Sequence, residues 1–232
     1  MGRFIAATLA LAWLSVQPLA SCALAATEEF HFQPAKVVSV SDVTIPFNSV
    51  ANGTAVLEVA ISENGDAGSI RVRRDVATIT EEAVRAVKTW KFEPAKLNGK
   101  AVATRMTVAV TFDPVPPLCA NVPLSPLIQR DDEVKLQPDF QPPGVTNATL
   151  PACPWLAVNP GTVILAASID EAGKVQRTNV LRDAPPFTAS ALRAIGDWRF
   201  TPATLDGTPV ESKAVLVFCF RVLAVWWRPR RP

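Results

Sequence analysis

Residues 90–99 read Trp-Lys-Phe-Glu-Pro-Ala-Lys-Leu-Asn-Gly, and residues 198–207 read Trp-Arg-Phe-Thr-Pro-Ala-Thr-Leu-Asp-Gly. The two stretches lie 108 positions apart (198 − 90), and the same offset relates identical residues along much of the chain. The further pairs include Gly53-Thr54 with Gly161-Thr162, Arg74-Asp75 with Arg182-Asp183, and Phe32-Gln33-Pro34 with Phe140-Gln141-Pro142. One ungapped register over so many identities indicates a tandem duplication.

Each copy predicts the same order of elements. In the first, apolar residues at every second position from 55 to 61 predict a strand, which a turn at Asn64-Gly65 joins to a second strand over 69–76. A helix follows with Thr80 as its expected N-cap, and Pro94 prevents the helix from continuing far past Trp90. A last strand is expected over 102–112, and the second copy repeats the series with a last strand over 210–220.

The N-terminus carries an export signal. Arg3 precedes an uncharged apolar run, and small residues at 23–25 suit signal peptidase, so residues 1–25 are predicted to be a signal peptide. Two alternatives remain open, namely lipidation of Cys22 and retention of the apolar segment 4–26 as a membrane anchor. All three place the remaining chain outside the cytoplasm, in the periplasm or cell envelope, and the lipidated and anchored alternatives would add membrane contact through the N-terminus.

Composition excludes some classes of function. Apolar residues make up 49% of the 232 residues, which is enough for a packed core. The formal net charge of +2 gives no global indication of nucleic-acid binding. Because disulfides persist outside the cytoplasm, Cys119 and Cys153 are candidates for a pair, whereas Cys219 is expected to be a buried free thiol.

The repeated string Trp-x-Phe-x-Pro-Ala, followed by Gly and an alternating strand ending in Phe, resembles the C-terminal domain of the TonB energy-transducer family. The resemblance covers about residues 54–112 and 162–220. Its motif residues, expected to form core and turns, are Trp90, Phe92, Pro94, Ala95, Gly99, Trp198, Phe200, Pro202, Ala203 and Gly207. It implies an α+β fold of two small modules, each an antiparallel three-stranded sheet with one helix packed on a face.

The expected domain limits follow from the repeat and from composition. Module 1 is predicted over 30–113, a Pro-rich linker over 114–137 and module 2 over 138–221, with a Trp/Arg tail over 222–232. Proteins of this family carry a functional histidine in a membrane helix and a long spacer behind it. Here His31 is the only histidine, and it lies outside the apolar segment. Coupling to an inner-membrane proton motor is therefore expected only if the N-terminus stays anchored.

The resemblance also implies a partner. TonB proteins bind a segment of an outer-membrane receptor, which adds as a strand to the sheet edge near the last strand. The matching edge of module 1 comprises Arg105, Met106, Thr107, Val108, Ala109, Val110, Thr111 and Phe112. Polar residues alternate along this strand, which predicts a half-solvated face, whereas residues 214–220 are apolar on both faces. The open edge is therefore expected on module 1, and the second apolar face of module 2 is expected to lie under the tail or under module 1.

Catalysis finds little support in the sequence. No Cys–His or Ser–His–Asp arrangement can be built without a structured histidine, and no phosphate-binding glycine loop occurs. We expect a non-enzymatic protein without a metal or cofactor. The favoured function is capture of an extended peptide in an envelope transport system. The alternative is a structural or assembly protein whose sheet edges pair with each other or across a homodimer.

Overall fold

The computed structural model describes residues 31–46, 49, 51–113, 124–128, 139–152, 154 and 159–221. In module 1 the elements are β1 (Phe32–Gln33), β2 (Lys36–Ser39), β3 (Gly53–Ile61), β4 (Ala67–Arg74), α1 (Ile79–Val87), β5 (Lys91–Glu93), β6 (Ala95–Leu97), β7 (Lys100–Val102) and β8 (Thr104–Asp113). In module 2 they are β9 (Phe140–Gln141), β10 (Val145–Asn147), β11 (Gly161–Ile169), β12 (Val175–Arg182), α2 (Thr188–Ile195), β13 (Arg199–Phe200), β14 (Ala203–Leu205), β15 (Thr208–Val210) and β16 (Ser212–Phe220).

One six-stranded sheet runs through both modules, in the order β12-β11-β16-β8-β3-β4. All neighbours are antiparallel except β16 and β8, the two last strands, which pair in parallel at the centre of the sheet. The α+β class is confirmed, but the antiparallel three-stranded sheets expected of the two modules are joined into this one six-stranded sheet. Each module contributes three strands, and pairing of the two last strands buries both faces of each.

The two helices cover opposite faces of this sheet. Alternate side chains of β3 divide between two core clusters, with Leu57 packing in the cluster of α1 and Val56 in the cluster of α2. Since neighbouring side chains on a strand point to opposite faces, α1 and α2 lie on opposite sides. Parallel pairing with opposed helices is the geometry of a two-fold axis running along the strands between β8 and β16.

Smaller sheets lie beside the central one. In each module, two short strands after the helix pair with each other and with a strand at the start of the module, in the orders β1-β6-β7 and β15-β14-β9. The pairs β2-β5 and β10-β13 form two further small sheets. The last-strand region predicted over 102–112 is thus divided between β7 and β8. Phe32 and the equivalent Phe140 meet with ring centroids 5.4 Å apart, so the two small sheets join the modules a second time.

The repeated motif forms core and turns, as the sequence predicts. Trp90 and Trp198 are each at most 1% exposed, and their indole N–H groups donate to Ser41 O at 3.2 Å and to Thr149 O at 3.0 Å. Six further motif residues fill the same roles in both copies, since Phe92, Ala95, Phe200 and Ala203 are buried while Gly99 and Gly207 adopt positive φ. The motif is therefore architectural.

Two hairpin glycines repeat for a steric reason. A Cβ on Gly65 would lie 2.1 Å from the carbonyl oxygen of Phe92, and a Cβ on Gly173 would lie 2.0 Å from that of Phe200. Both also have positive φ, near 80°, which disfavours side chains. The predicted N-cap role of Thr80 is wrong. Its hydroxyl accepts from Val76 N at 3.0 Å, within a turn that precedes the helix.

Candidate functional site

The strand predicted to bind a partner lies inside the shared sheet. Residues Arg105 to Phe112 pair with β3 along one edge, from Ala60 to Gly53. Along the other edge, Thr107 to Phe112 pair with Ala214 to Cys219 of β16. The expectation of an open edge on module 1 is therefore corrected, because β16 occupies it. Binding of a partner at Arg105 to Phe112 stays a prediction and would require β16 to leave.

The face of β8 expected to be half-solvated is buried. Thr107, Ala109 and Thr111 are at most 2% exposed, because the α2 side of module 2 lies over them. The hydroxyls find partners there. Thr107 Oγ1 donates to Pro143 O at 2.6 Å, and the hydroxyls of Thr111 and Thr54 lie 2.9 Å apart. A polar strand face is thus compatible with the interior once each hydroxyl is hydrogen-bonded.

The second apolar face of β16 lies under module 1, one of the two covers that the sequence suggested. Val215, Val217 and Cys219 belong to the same core cluster as Ile79 and Val87 of α1. Cys219 is a free, buried thiol, as expected, and its Sγ lies 3.8 Å from Val43 O. Burial raises the pKa of this thiol to about 12, which keeps it neutral and unreactive.

The outer strands β4 and β12 form the two ends of the central sheet, and their surroundings differ. The outer edge of β4 has a partner, because Ile128 N donates to Arg73 O at 2.8 Å. Across the part of the chain that the structure describes, no strand pairs with the outer edge of β12. The side chains of Gln176, Arg177 and Asn179 on β12 are exposed. Within the described residues, β12 therefore offers unpaired main-chain groups of the kind that strand addition requires.

The arginine of the repeated Arg-Asp pair links the two modules in both copies. Arg74 donates to Val145 O of module 2 at 3.3 Å and also to Ser125 O. Arg182 pairs with Asp42 of module 1, with Nε 2.7 Å from Oδ1. Burial lowers the pKa of Arg74. Sequence reasoning missed this role, because no local pattern shows which module an arginine faces.

A cleft of about 330 Å³ lies at the Arg182 end of β12. Residues 159–162, at the start of β11, line one side, and residues 182–187, which lead into α2, line the other. Its walls include Arg182 and the buried Phe187, so both polar and apolar residues line it.

Several predicted features lie outside the described residues: the signal segment 1–25 with Cys22, the Cys119–Cys153 pair, and the tail from 222 to 232. Within the ranges the structure describes, no group of three or more His, Cys, Asp or Glu side chains is arranged to hold a metal ion. None of the described helices is long and apolar enough to span a membrane.

The chain was compared with known proteins. The sequence model of one family, described as Gram-negative bacterial TonB protein C-terminal, matches residues 49–114 and again residues 158–222. The two matches together span more than half of the 232 residues and coincide with the two copies of the repeat. A comparison with curated protein sequences found no match.

Proposed function

Because the chain belongs to the TonB C-terminal family, we propose that it is a non-enzymatic binding protein that captures an extended peptide or receptor segment by strand addition. The family makes it a TonB-like protein related to envelope transport, for which outer-membrane receptors are the coarse class of partner. The proposal adds the mode of binding and its place on the sheet, which is the outer edge of β12.

The observation that carries the proposal is the parallel pairing of β8 with β16. It withdraws the last strand of each module from binding and leaves β4 and β12 as the ends of the sheet. Main-chain hydrogen bonds at a free edge give affinity with little demand on side-chain identity. Of the two ends, β12 is the one without a described main-chain partner.

Displacement of β16 from β8 is the costlier route. It would expose Val215, Leu216, Val217 and Phe218, each at most 1% exposed in the folded chain. Burial of a side chain of this kind contributes about 1.5–3 kcal/mol. A short added strand would have to offset the loss of several such side chains before gaining anything, so we place capture on the outer edge.

Site-directed photo-crosslinking in native cells tests this placement. A photoreactive amino acid at Asn179, exposed on β12, should form adducts with envelope proteins. The same group at Lys88, exposed at the end of α1, serves as the control and should not. Adducts at Lys88 alone, or at neither position, would contradict capture at this edge.

The second candidate is a structural or assembly role, which the self-paired last strands favour. In that case β12 would pair with a second copy of the chain, giving a homodimer with a continuous sheet. The crosslink at Asn179 separates the two, because an adduct of twice the chain mass would then form in purified protein as readily as in cells.

A further inference from the structure

Residues 124–128, which lie between the modules in sequence, contact the β4 end of the sheet. At one end of this stretch, Leu124 packs against the core cluster of α2. Next to it, the carbonyl of Ser125 accepts a hydrogen bond from the Arg74 guanidinium. At the other end, Ile128 N donates to Arg73 O at 2.8 Å. The sheet edge thus holds a five-residue peptide through one apolar side chain, one carbonyl and one N–H.

These contacts define the chemistry that the edge accepts. Pro126 has no N–H and so makes no demand for a hydrogen-bond acceptor, which suits a segment at a sheet edge. The Leu127 side chain is 54% exposed, so the sheet edge does not select for the residue at this position. The Arg74 guanidinium donates to the carbonyls of Ser125 and Val145, so it binds main-chain acceptors on this side. An extended, apolar, proline-containing segment meets all of these conditions.

The β12 end of the sheet repeats the same framework. Arg182 is the equivalent of Arg74, at the offset of 108. The two ends also share a β-bulge. On β4 the bulge lies between Arg74, which pairs with Val56, and Val72, which pairs with Leu57. On β12 it lies between Arg182, which pairs with Ile164, and Val180, which pairs with Leu165. The carbonyl of Leu181 therefore takes the place of the Arg73 carbonyl, and the cleft of residues 159–162 and 182–187 adjoins it.

We infer that the β12 edge and the adjoining cleft form a binding site for an extended, apolar, proline-containing segment of a partner protein. Residues 124–128 at the β4 edge are an example, within the chain, of the kind of segment that the β12 site binds from a partner. This inference rests on the proposed function of strand addition and specifies its partner. Within the described residues, no segment of the chain occupies the equivalent place.

Arg182 can change partners at low cost. It now pairs with Asp42, but the two side chains are 45% and 42% exposed. An ion pair this exposed contributes only about 0–1 kcal/mol, because water screens both charges. A peptide carbonyl could therefore share the guanidinium with Asp42, as Ser125 O and Val145 O share that of Arg74.

The test uses a blocked synthetic peptide with the sequence of residues 121–130, Asn-Val-Pro-Leu-Ser-Pro-Leu-Ile-Gln-Arg, titrated into the isotope-labelled full chain. We expect NMR shift changes at Asn179, Val180 and Gly161, around the β12 edge. Arg182→Ala should weaken binding about tenfold, the effect of losing a charged hydrogen bond. Arg177→Ala is the matched control, since Arg177 is exposed on the same strand, and it should change the affinity less than twofold.

Three outcomes would overturn the inference. The first is no shift change around β12 at millimolar peptide, the second is binding that Arg182→Ala leaves unchanged, and the third is binding at β4 alone. The crosslink at Asn179 separates these failures from failure of the proposed function. Envelope adducts there without peptide binding would keep strand addition and reject this ligand class. Peptide binding without such adducts would keep the site and reject the proposed role.

Discussion

The last strands of the two modules occupy equivalent positions and bury different chemistry. On β16 the face turned away from its own helix is apolar, with Val215, Val217 and Cys219 packed beneath α1. On β8 the corresponding face carries Thr107 and Thr111, which are buried as fully beneath the α2 side. The same fold therefore buries an apolar face on β16 and a hydrogen-bonded polar face on β8.

Apolar patterning in the sequence therefore marks only part of this buried interface. The valines of β16 gain from burial directly. The threonines of β8 are tolerated because Pro143 O and the Thr54 hydroxyl satisfy them. The pairing of β8 and β16 thus depends on packing on one face and on hydrogen bonding on the other, and each can be broken separately.

The largest effect on stability is expected from a charge on the apolar face of β16 beneath α1. Val217 is fully buried, so Val217→Asp would place a carboxylate in the cluster of α1 without a partner. We expect a loss of at least about 4 kcal/mol in the free energy of unfolding, enough to prevent folding of many domains. Val38→Asp, at a position 69% exposed, is the control and should change stability by less than about 0.5 kcal/mol. Urea denaturation followed by circular dichroism measures both, and near-native stability of Val217→Asp would refute the shared core.

An exchange of chemistry between the two faces should have a smaller effect. Thr107→Val leaves Pro143 O without its donor, and Val215→Thr, at the position of β16 equivalent by the offset of 108, puts a hydroxyl beneath α1. Each change is expected to cost about 1–3 kcal/mol, the penalty for an unsatisfied buried polar group. Thermal unfolding measures the loss. If Thr107→Val stabilised the protein, the hydroxyl on β8 would not be holding module 2.

The pH dependence of stability reports on Cys219. Its thiol has a folded-state pKa of about 12, whereas an unfolded cysteine titrates near 8.5. Above about pH 8.5 the unfolded chain releases this proton and the folded chain keeps it, so the free energy of unfolding falls with rising pH. We expect a slope steeper than that of Cys219→Ala by up to about 1.4 kcal/mol per pH unit, and present only above about pH 8.5. Equal slopes between pH 8.5 and 10 would show an accessible thiol.

The smallest effect concerns the link between Arg182 and Asp42. Because both side chains are nearly half exposed, Asp42→Ala should cost less than about 1 kcal/mol and should lose even that in high salt. Arg74→Ala should cost more, since its guanidinium holds two carbonyl groups of other segments and is partly buried. Equal losses for the two variants would remove the distinction between the two ends of the sheet.

The repeat let the sequence predict what lies within a module. The hairpin, the helix and the buried tryptophans depend on local spacing, and all occur as expected at the offset of 108. The small strands around Phe32 and Phe140 were not predicted, because two-residue strands carry no periodic signal.

The arrangement between the modules was harder to predict. The apolar second face of β16 indicated a missing cover, and module 1 was one of the two covers suggested. The threonines of β8 led to the wrong expectation of solvent, because a sequence does not show that Pro143 O would lie within 2.6 Å. The candidate site at β12 was not predicted for the same reason, because which strand lies at the end of the sheet depends on the pairing of strands far apart in the chain.

Both proposals for the sheet edges depend on the parallel pairing of the two last strands within one chain. Backbone NOEs between Ala109 of β8 and Leu216 of β16, partners in the register, test it most directly. We predict that these NOEs appear in uniformly labelled protein and are absent from the intermolecular spectrum of a mixed labelled and unlabelled sample. Loss of the contact in both spectra, or its appearance only between chains, would contradict the account.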